Sequence, residues 1–127
     1  MLPGMDQKIA EILPKIEGWL KMEEIKSFKI GVTQDIQQRS SGYSSSPNVQ
    51  LVEIASGDKQ SVIKAERDLI EYFLGTSLKD KCKNQPNTGG VGNVKNINTL
   101  YIAYEHGESV SIQDLHVPFN NIVPLLL

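Results

Sequence analysis

Phe28-Lys29-Ile30-Gly31-Val32-Thr33, followed by Asp35-Ile36-Gln37-Gln38-Arg39 and then Tyr43, is the stretch on which the fold of this chain turns. It reads as a strand over 28–33, a tight turn, and a short helix over 35–41 whose end is set by Gly42. Arg39 and Tyr43 stand four residues apart, so on a helical surface their side chains are neighbours. A guanidinium beside a phenol suits a phosphodiester. One group neutralises phosphate charge and the other handles a proton.

Outward from this stretch the periodicity is mostly plain. Ile9, Ile12, Leu13 and Ile16 recur at helical spacing, which predicts an amphipathic helix over 6–16 with Asp6 as its cap and Pro14 kinking or shortening it. Gly18-Trp19-Leu20-Lys21-Met22 is either a short strand or the end of that helix. Residues 40–47, rich in serine with Gly42 and Pro47, read as a loop. Val49 to Ala55 alternates as a strand does. Lys59 to Leu74 is the strongest helix, with Val62, Ile63, Leu69, Ile70 and Phe73 on its apolar face and Gly75 at its C-terminal end. Residues 78–98 are polar and read as one long loop. Leu100 to Tyr104 is a second clear strand, and residues 109–112 can pair with it as a hairpin. The order predicts a small α/β sandwich, a mixed or antiparallel sheet flanked by helices.

Composition narrows the class. A chain of 127 residues with 39% hydrophobic residues is expected to form one domain with a hydrophobic core. It has no long apolar run and no internal repeat. The N-terminus lacks the basic and apolar regions of a signal peptide. The single cysteine, Cys82, excludes an internal disulfide and suits a reducing cytoplasm, and with only His106 and His116 beside it no zinc pattern arises. Net charge is -2, yet residues 26–95 carry ten basic against seven acidic residues, so the middle is weakly basic between acidic ends. The terminal Leu125-Leu126-Leu127 triplet is expected to pack on its own domain or on a partner, a second copy included.

With these residues in view, the chain resembles the GIY-YIG nuclease superfamily, in a degenerate form of the phage or mobile-element type. Lys29-Ile30-Gly31 stands at the second motif's triplet, with Thr33 and Arg39 following at the family's spacing and Tyr43 where members carry tyrosine or histidine. Ala65-Glu66-Arg67-Asp68-Leu69-Ile70 resembles the helix that supplies the metal-binding glutamate. The resemblance covers about residues 18–104. It implies a Mg²⁺- or Mn²⁺-dependent endonuclease acting on nucleic acid, DNA before RNA. It further implies Arg39 as the phosphate clamp, Tyr43 as proton shuttle, Glu66 as the single metal ligand, and an asparagine after the glutamate helix. Asn84, Asn87 and Asn93 all lie in that region, and Asn87 is the choice. Lys29 and Thr33 are the implied substrate contacts.

Each residue also has a plainer reading. Arg39 can be a surface helix arginine, Tyr43 a loop tyrosine with its ring on the core, Glu66 a partly exposed helix glutamate paired with Arg67 or Lys64, and Lys29 a strand-edge lysine pointing to solvent. Glu71 is on another face and reads as surface. The run Gly89 to Gly92 either cradles a phosphate or simply turns the chain. The first family motif has its nearest equivalent in Gly18-Trp19-Leu20, which puts Leu20 where a tyrosine is expected. With Lys29, both signature tyrosines are absent. A catalytically silent GIY-YIG-like module that binds nucleic acid or a protein is therefore the alternative to the nuclease.

Overall fold

A computed structural model describes residues 4–42, 48–84, 96–107, 117–119 and 123–126. In chain order they form α1 (Gln7–Leu20), β1 (Ile25–Thr33), α2 (Ile36–Ser41), β2 (Val49–Gly57), α3 (Lys59–Leu74), a 3-10 turn (Ser77–Asp80), β3 (Thr99–His106) and β4 (Leu125–Leu126). The strands make one sheet in the order β1-β3-β2-β4. The central β3 runs antiparallel to β1 and β2, while β4 lies parallel to β2. This is the expected mixed sheet flanked by helices.

Pleating decides which residues share a layer, because alternate side chains of a strand point to opposite faces. Phe28 meets Phe73 of α3 edge-on, with ring centroids 5.4 Å apart, and Tyr104 meets Trp19 of α1 at 4.6 Å. Phe28 and Tyr104 are direct cross-strand partners. Helices α1 and α3 therefore cover the same face, the one carrying Phe28, Ile30, Val32, Leu100 and Ile102, all buried. Lys29, Gly31 and Thr33 of β1, Thr99, Tyr101 and Ala103 of β3, and Leu51 and Glu53 of β2 belong to the opposite face.

Helix α1 departs from its expected end. It continues through Pro14 to Leu20, so Gly18-Trp19-Leu20 is its last turn and not a strand. The reason is burial. Trp19 and Leu20 extend the apolar stripe of Ile9, Ile12, Leu13 and Ile16, and Trp19 also packs edge-on against Phe119 at 5.4 Å. Pro14 lies on the exposed side, where water can reach the carbonyl it leaves without a donor. At this C-terminal end of α1, Lys81 Nζ donates to the carbonyls of Leu20 and Met22, both at 2.9 Å. A cation on terminal carbonyls complements the helix dipole. Burial, reinforced by nearby Lys26 and opposed by Glu24 and Glu23, pushes the pKa of the Lys81 ammonium down.

The expected loop over residues 78–98 is structured where it is described. After the 3-10 turn, the chain runs along the outer edge of β1. Phe28 N–H donates to Lys81 O at 2.9 Å and Lys83 N–H donates to Phe28 O at 2.8 Å. The Asn84 side chain then imitates one more backbone unit, accepting from Ile30 N at 2.8 Å and donating to Ile30 O at 3.0 Å. An otherwise open sheet edge is thereby paired. On the far side, β4 closes β2, with Leu126 fully buried and Leu125 53% exposed. The leucine tail thus packs on its own fold at Leu126. The predicted hairpin strand over 109–112 lies outside the described residues.

Candidate functional site

The turn between β1 and α2 is built by short polar side chains. Thr33 Oγ1 accepts from Asp35 N and donates to Asp35 O, each at 3.2 Å. Asp35 caps α2 by accepting from the backbone of Gln37 and Gln38, both at 3.1 Å. These bonds hold a six-residue helix that has no buried residue of its own. Thr33, expected as a substrate contact, is thus first a turn-former, although it also lines the cavity described next.

Arg39 is where the site begins. Its Nε donates to the hydroxyl of Tyr101 at 3.0 Å. Tyr101 comes from the middle of β3 and lies over Gly31, its direct partner on β1. A Cβ on Gly31 would sit 2.5 Å from the Tyr101 Cζ and hydroxyl, so only glycine lets the ring take this place. The packing of one aromatic ring fixes the direction of Arg39. Beside it opens a cavity of about 530 Å³ lined by Val32, Thr33, Gln34, Gln38, Arg39 and Ile97 among others. Among the described residues of that lining, Arg39 is the charged one. A polar cleft with one fixed guanidinium is suited to an anion such as a phosphate.

The sheet's pleat adds two groups to this face. Lys29 is exposed on β1, two residues before Gly31. Glu53 of β2 is the direct partner of Tyr101 on its other side, so Gly31, Tyr101 and Glu53 form one row across three strands. Helix α2 also contacts β2, which lays the Arg39 helix over this row.

Glu66 is placed differently. It is 6% exposed, within the apolar arc of Val62, Ala65, Leu69, Ile70 and Phe73 on the side of α3 that packs on the sheet. Its burial corrects the reading of a partly exposed helix glutamate. Because α3 covers the Phe28 face, Glu66 and the Arg39–Tyr101 pair belong to opposite faces, and the fold divides the expected catalytic set. Glu66 lines neither the Arg39 cavity nor a second one of about 560 Å³ bordered by Lys59, Gln60, Ile63, Lys64, Arg67 and Asp68. Among the described residues no group of three or more His, Cys, Asp or Glu side chains is placed to hold a metal. As a single carboxylate, Glu66 has the donor type that Mg²⁺ or Mn²⁺ accepts, with water and phosphate oxygens completing the shell.

Tyr43, Asn87 and Asn93 lie outside the described residues. Asn84, the other asparagine considered, is 7% exposed and holds the β1 edge, which makes it structural. Cys82 is buried next to it, and burial pushes its thiol pKa up, away from a reactive thiolate. Tyr101 was missed by sequence reasoning. Its strand was visible, but nothing local indicated that β3 would pair with β1, some seventy residues earlier, and put that ring on Gly31. Compared with known proteins, the chain matches no family model, no curated protein and no solved structure.

Proposed function

We propose that this chain is a metal-dependent endonuclease that hydrolyses nucleic-acid phosphodiester bonds, with Arg39 as the phosphate clamp. The observation that carries the reading is the fixed Arg39–Tyr101 pair at the rim of a polar cavity of about 530 Å³. Arginine suits this role because its planar fork binds phosphate oxygens at two points. Tyr101 supplies from the last long strand the phenol that the sequence lacks ahead of Arg39. Exposed Lys29 on the same face would attract the flanking backbone. The resemblance gives Glu66 the metal ion, which when bound supplies Lewis-acid polarisation of a phosphoryl oxygen. DNA is the preferred substrate class on the same ground, and a cytoplasmic setting fits the lone buried thiol. No helix among the described residues is long and apolar enough to cross a membrane.

The silent binding module is favoured by one observation, the assignment of Glu66 and Arg39 to opposite faces. Both readings make Arg39 essential for binding, and they part on turnover. The deciding experiment is cleavage of supercoiled plasmid, single-stranded DNA and RNA with Mg²⁺ or Mn²⁺ by the native chain, Arg39→Ala and Glu66→Ala. The nuclease reading expects metal-dependent cutting that falls by about 100-fold or more in Arg39→Ala and is lost in Glu66→Ala. Oligonucleotide binding that depends on Arg39, with no cutting of any substrate, would select the binding module.

A further inference from the structure

We propose that the Arg39 cavity takes one unpaired nucleotide of the substrate, its phosphate on Arg39 and its base against Val32 and Ile97, with Gln38 reading the base edge. This rests on the phosphate-clamp reading above and names the substrate class, single-stranded nucleic acid. All four residues line the same cavity of about 530 Å³, a size suited to a small ligand. Val32 and Ile97 are 8% and 4% exposed. A residue that lines a cavity yet is closed to bulk solvent lies at its base, so the floor is aliphatic. Gln34, Gln38 and Arg39 are exposed and make the rim.

A phosphate alone does not account for this lining. Duplex binding draws its affinity from many cations on many phosphates. Here Arg39 is the charged residue of the described lining, in a chain of net charge -2. A guanidinium beside an aliphatic floor and two amides matches a nucleotide instead, with its anion, its flat ring face and its polar ring edge. Gln38 stands in the first turn of α2 next to Arg39, and the Asp35 cap takes its backbone N–H. The side-chain amide is left to the cavity. It offers a donor and an acceptor side by side, and glutamine pairs at two points with N6 and N7 of adenine. A base enters only when unstacked, which a single strand permits and a duplex resists.

The cavity of about 560 Å³ on α3 is of another kind. Lys59, Lys64 and Arg67 border it, and Lys64 is paired with Asp68 at 2.7 Å. None of its described lining is buried. It is a charged surface without a floor for a ring, and Arg67 serves as the control.

The test reads the anisotropy of fluorescein-labelled DNA in chelator, where metal-dependent cutting does not intervene. The probes are a short oligoadenylate, an oligothymidylate and an abasic strand of equal length, and a hairpin duplex. The native chain should bind oligoadenylate about tenfold or more tighter than the abasic strand, and tighter than the duplex. The logarithm of affinity should fall with that of salt at a slope of about -0.7 to -1.4, one or two phosphates. Gln38→Ala should cut the preference for adenine over thymine about fivefold or more and leave abasic binding unchanged. Arg39→Ala should weaken every strand, the abasic one included. Arg67→Gln should bind as the native chain does, and thermal denaturation checks that each variant folds.

An abasic strand or duplex bound as tightly as oligoadenylate, or no binding of any strand, overturns the base pocket. If Arg39→Ala still weakens the binding that is seen, the phosphate clamp stands without it. If Arg39→Ala binds as the native chain does, the clamp falls and the pocket with it. A base preference absent from the native chain, or unchanged in Gln38→Ala, removes Gln38 from the base edge. Equal losses in Arg39→Ala and Arg67→Gln would show general charge attraction and overturn both readings.

Discussion

Gly31 has no room for a side chain, and under the proposed function the consequence reaches beyond packing to the phosphate clamp. Its missing Cβ is the space in which the Tyr101 ring lies, and that ring holds Arg39. Gly31→Ala forces the ring aside in a packed layer, which costs about 1–3 kcal/mol. We expect a lower denaturation midpoint together with weakened oligonucleotide binding, because Arg39 loses its anchor. In a Tyr101→Leu background the stability cost of Gly31→Ala should shrink, since the two residues are in contact and their effects do not add. Equal costs in both backgrounds, measured by urea denaturation, would show that the ring is not what Gly31 accommodates. Conformational freedom is not the issue here. A close approach between neighbouring strands is.

Among the elements, α1 shows burial overriding local preference. Proline in a helix interior removes one hydrogen bond and crowds the preceding turn, at a cost near 3 kcal/mol. The helix persists because six buried side chains, three before Pro14 and three after it, need one continuous stripe, and Lys81 caps its C-terminal end from a distant segment. Pro14 is exposed and carries none of that packing. Pro14→Ala is therefore expected to stabilise the protein by about 1–3 kcal/mol, read as a higher urea midpoint with unchanged slope. A destabilised variant would mean that the proline sets a bend the core requires. The β4 segment makes the complementary case. Two residues suffice to close an edge because a Cβ on Gly57 would overlap the Leu126 carbonyl and glycine leaves that approach free.

At the scale of the whole molecule, a polar contact joins the two long helices of the layer. Tyr72 of α3 donates its hydroxyl to Glu17 of α1 at 2.7 Å. That bond, with smaller contributions from burial and the Glu17 charge, raises the Tyr72 pKa above its ordinary value of 10.0. A phenol whose folded pKa is raised contributes stability that is fully present below the unfolded pKa and is lost as pH rises through the folded one. The pair is half-buried and still reached by solvent, so its worth is modest, about 0.5–1.5 kcal/mol. Tyr72→Phe should cost that much at pH 7 and almost nothing once the pH exceeds the raised pKa. Urea titrations at neutral and strongly alkaline pH check it, and a cost that is the same at both would remove the hydrogen bond from the account.

How much of the molecule could be read in advance follows from the range of the interactions. Asp35, Gly42, Asp58 and Gly75 mark helix ends through bonds to residues a few positions away, so α2 and α3 were legible with their boundaries. The strands β1, β2 and β3 were legible from alternation and β-branched residues, and with them the α/β class. Arg39 was legible as a candidate from its chemistry and position. What the sequence alone left open is decided by pairing between distant segments. Only the register of β3 against β1 and β2 sets Tyr101 on Gly31 and opposite Glu53, and only the pleat separates that row from the layer holding Glu66. Likewise the 81–84 segment becomes a sheet edge because β1 presents unpaired backbone groups to it. Local chemistry determines elements over a few residues. The shared face of a sheet is a property of strands aligned across the chain, and a shift of one residue would turn every one of these side chains to the other side.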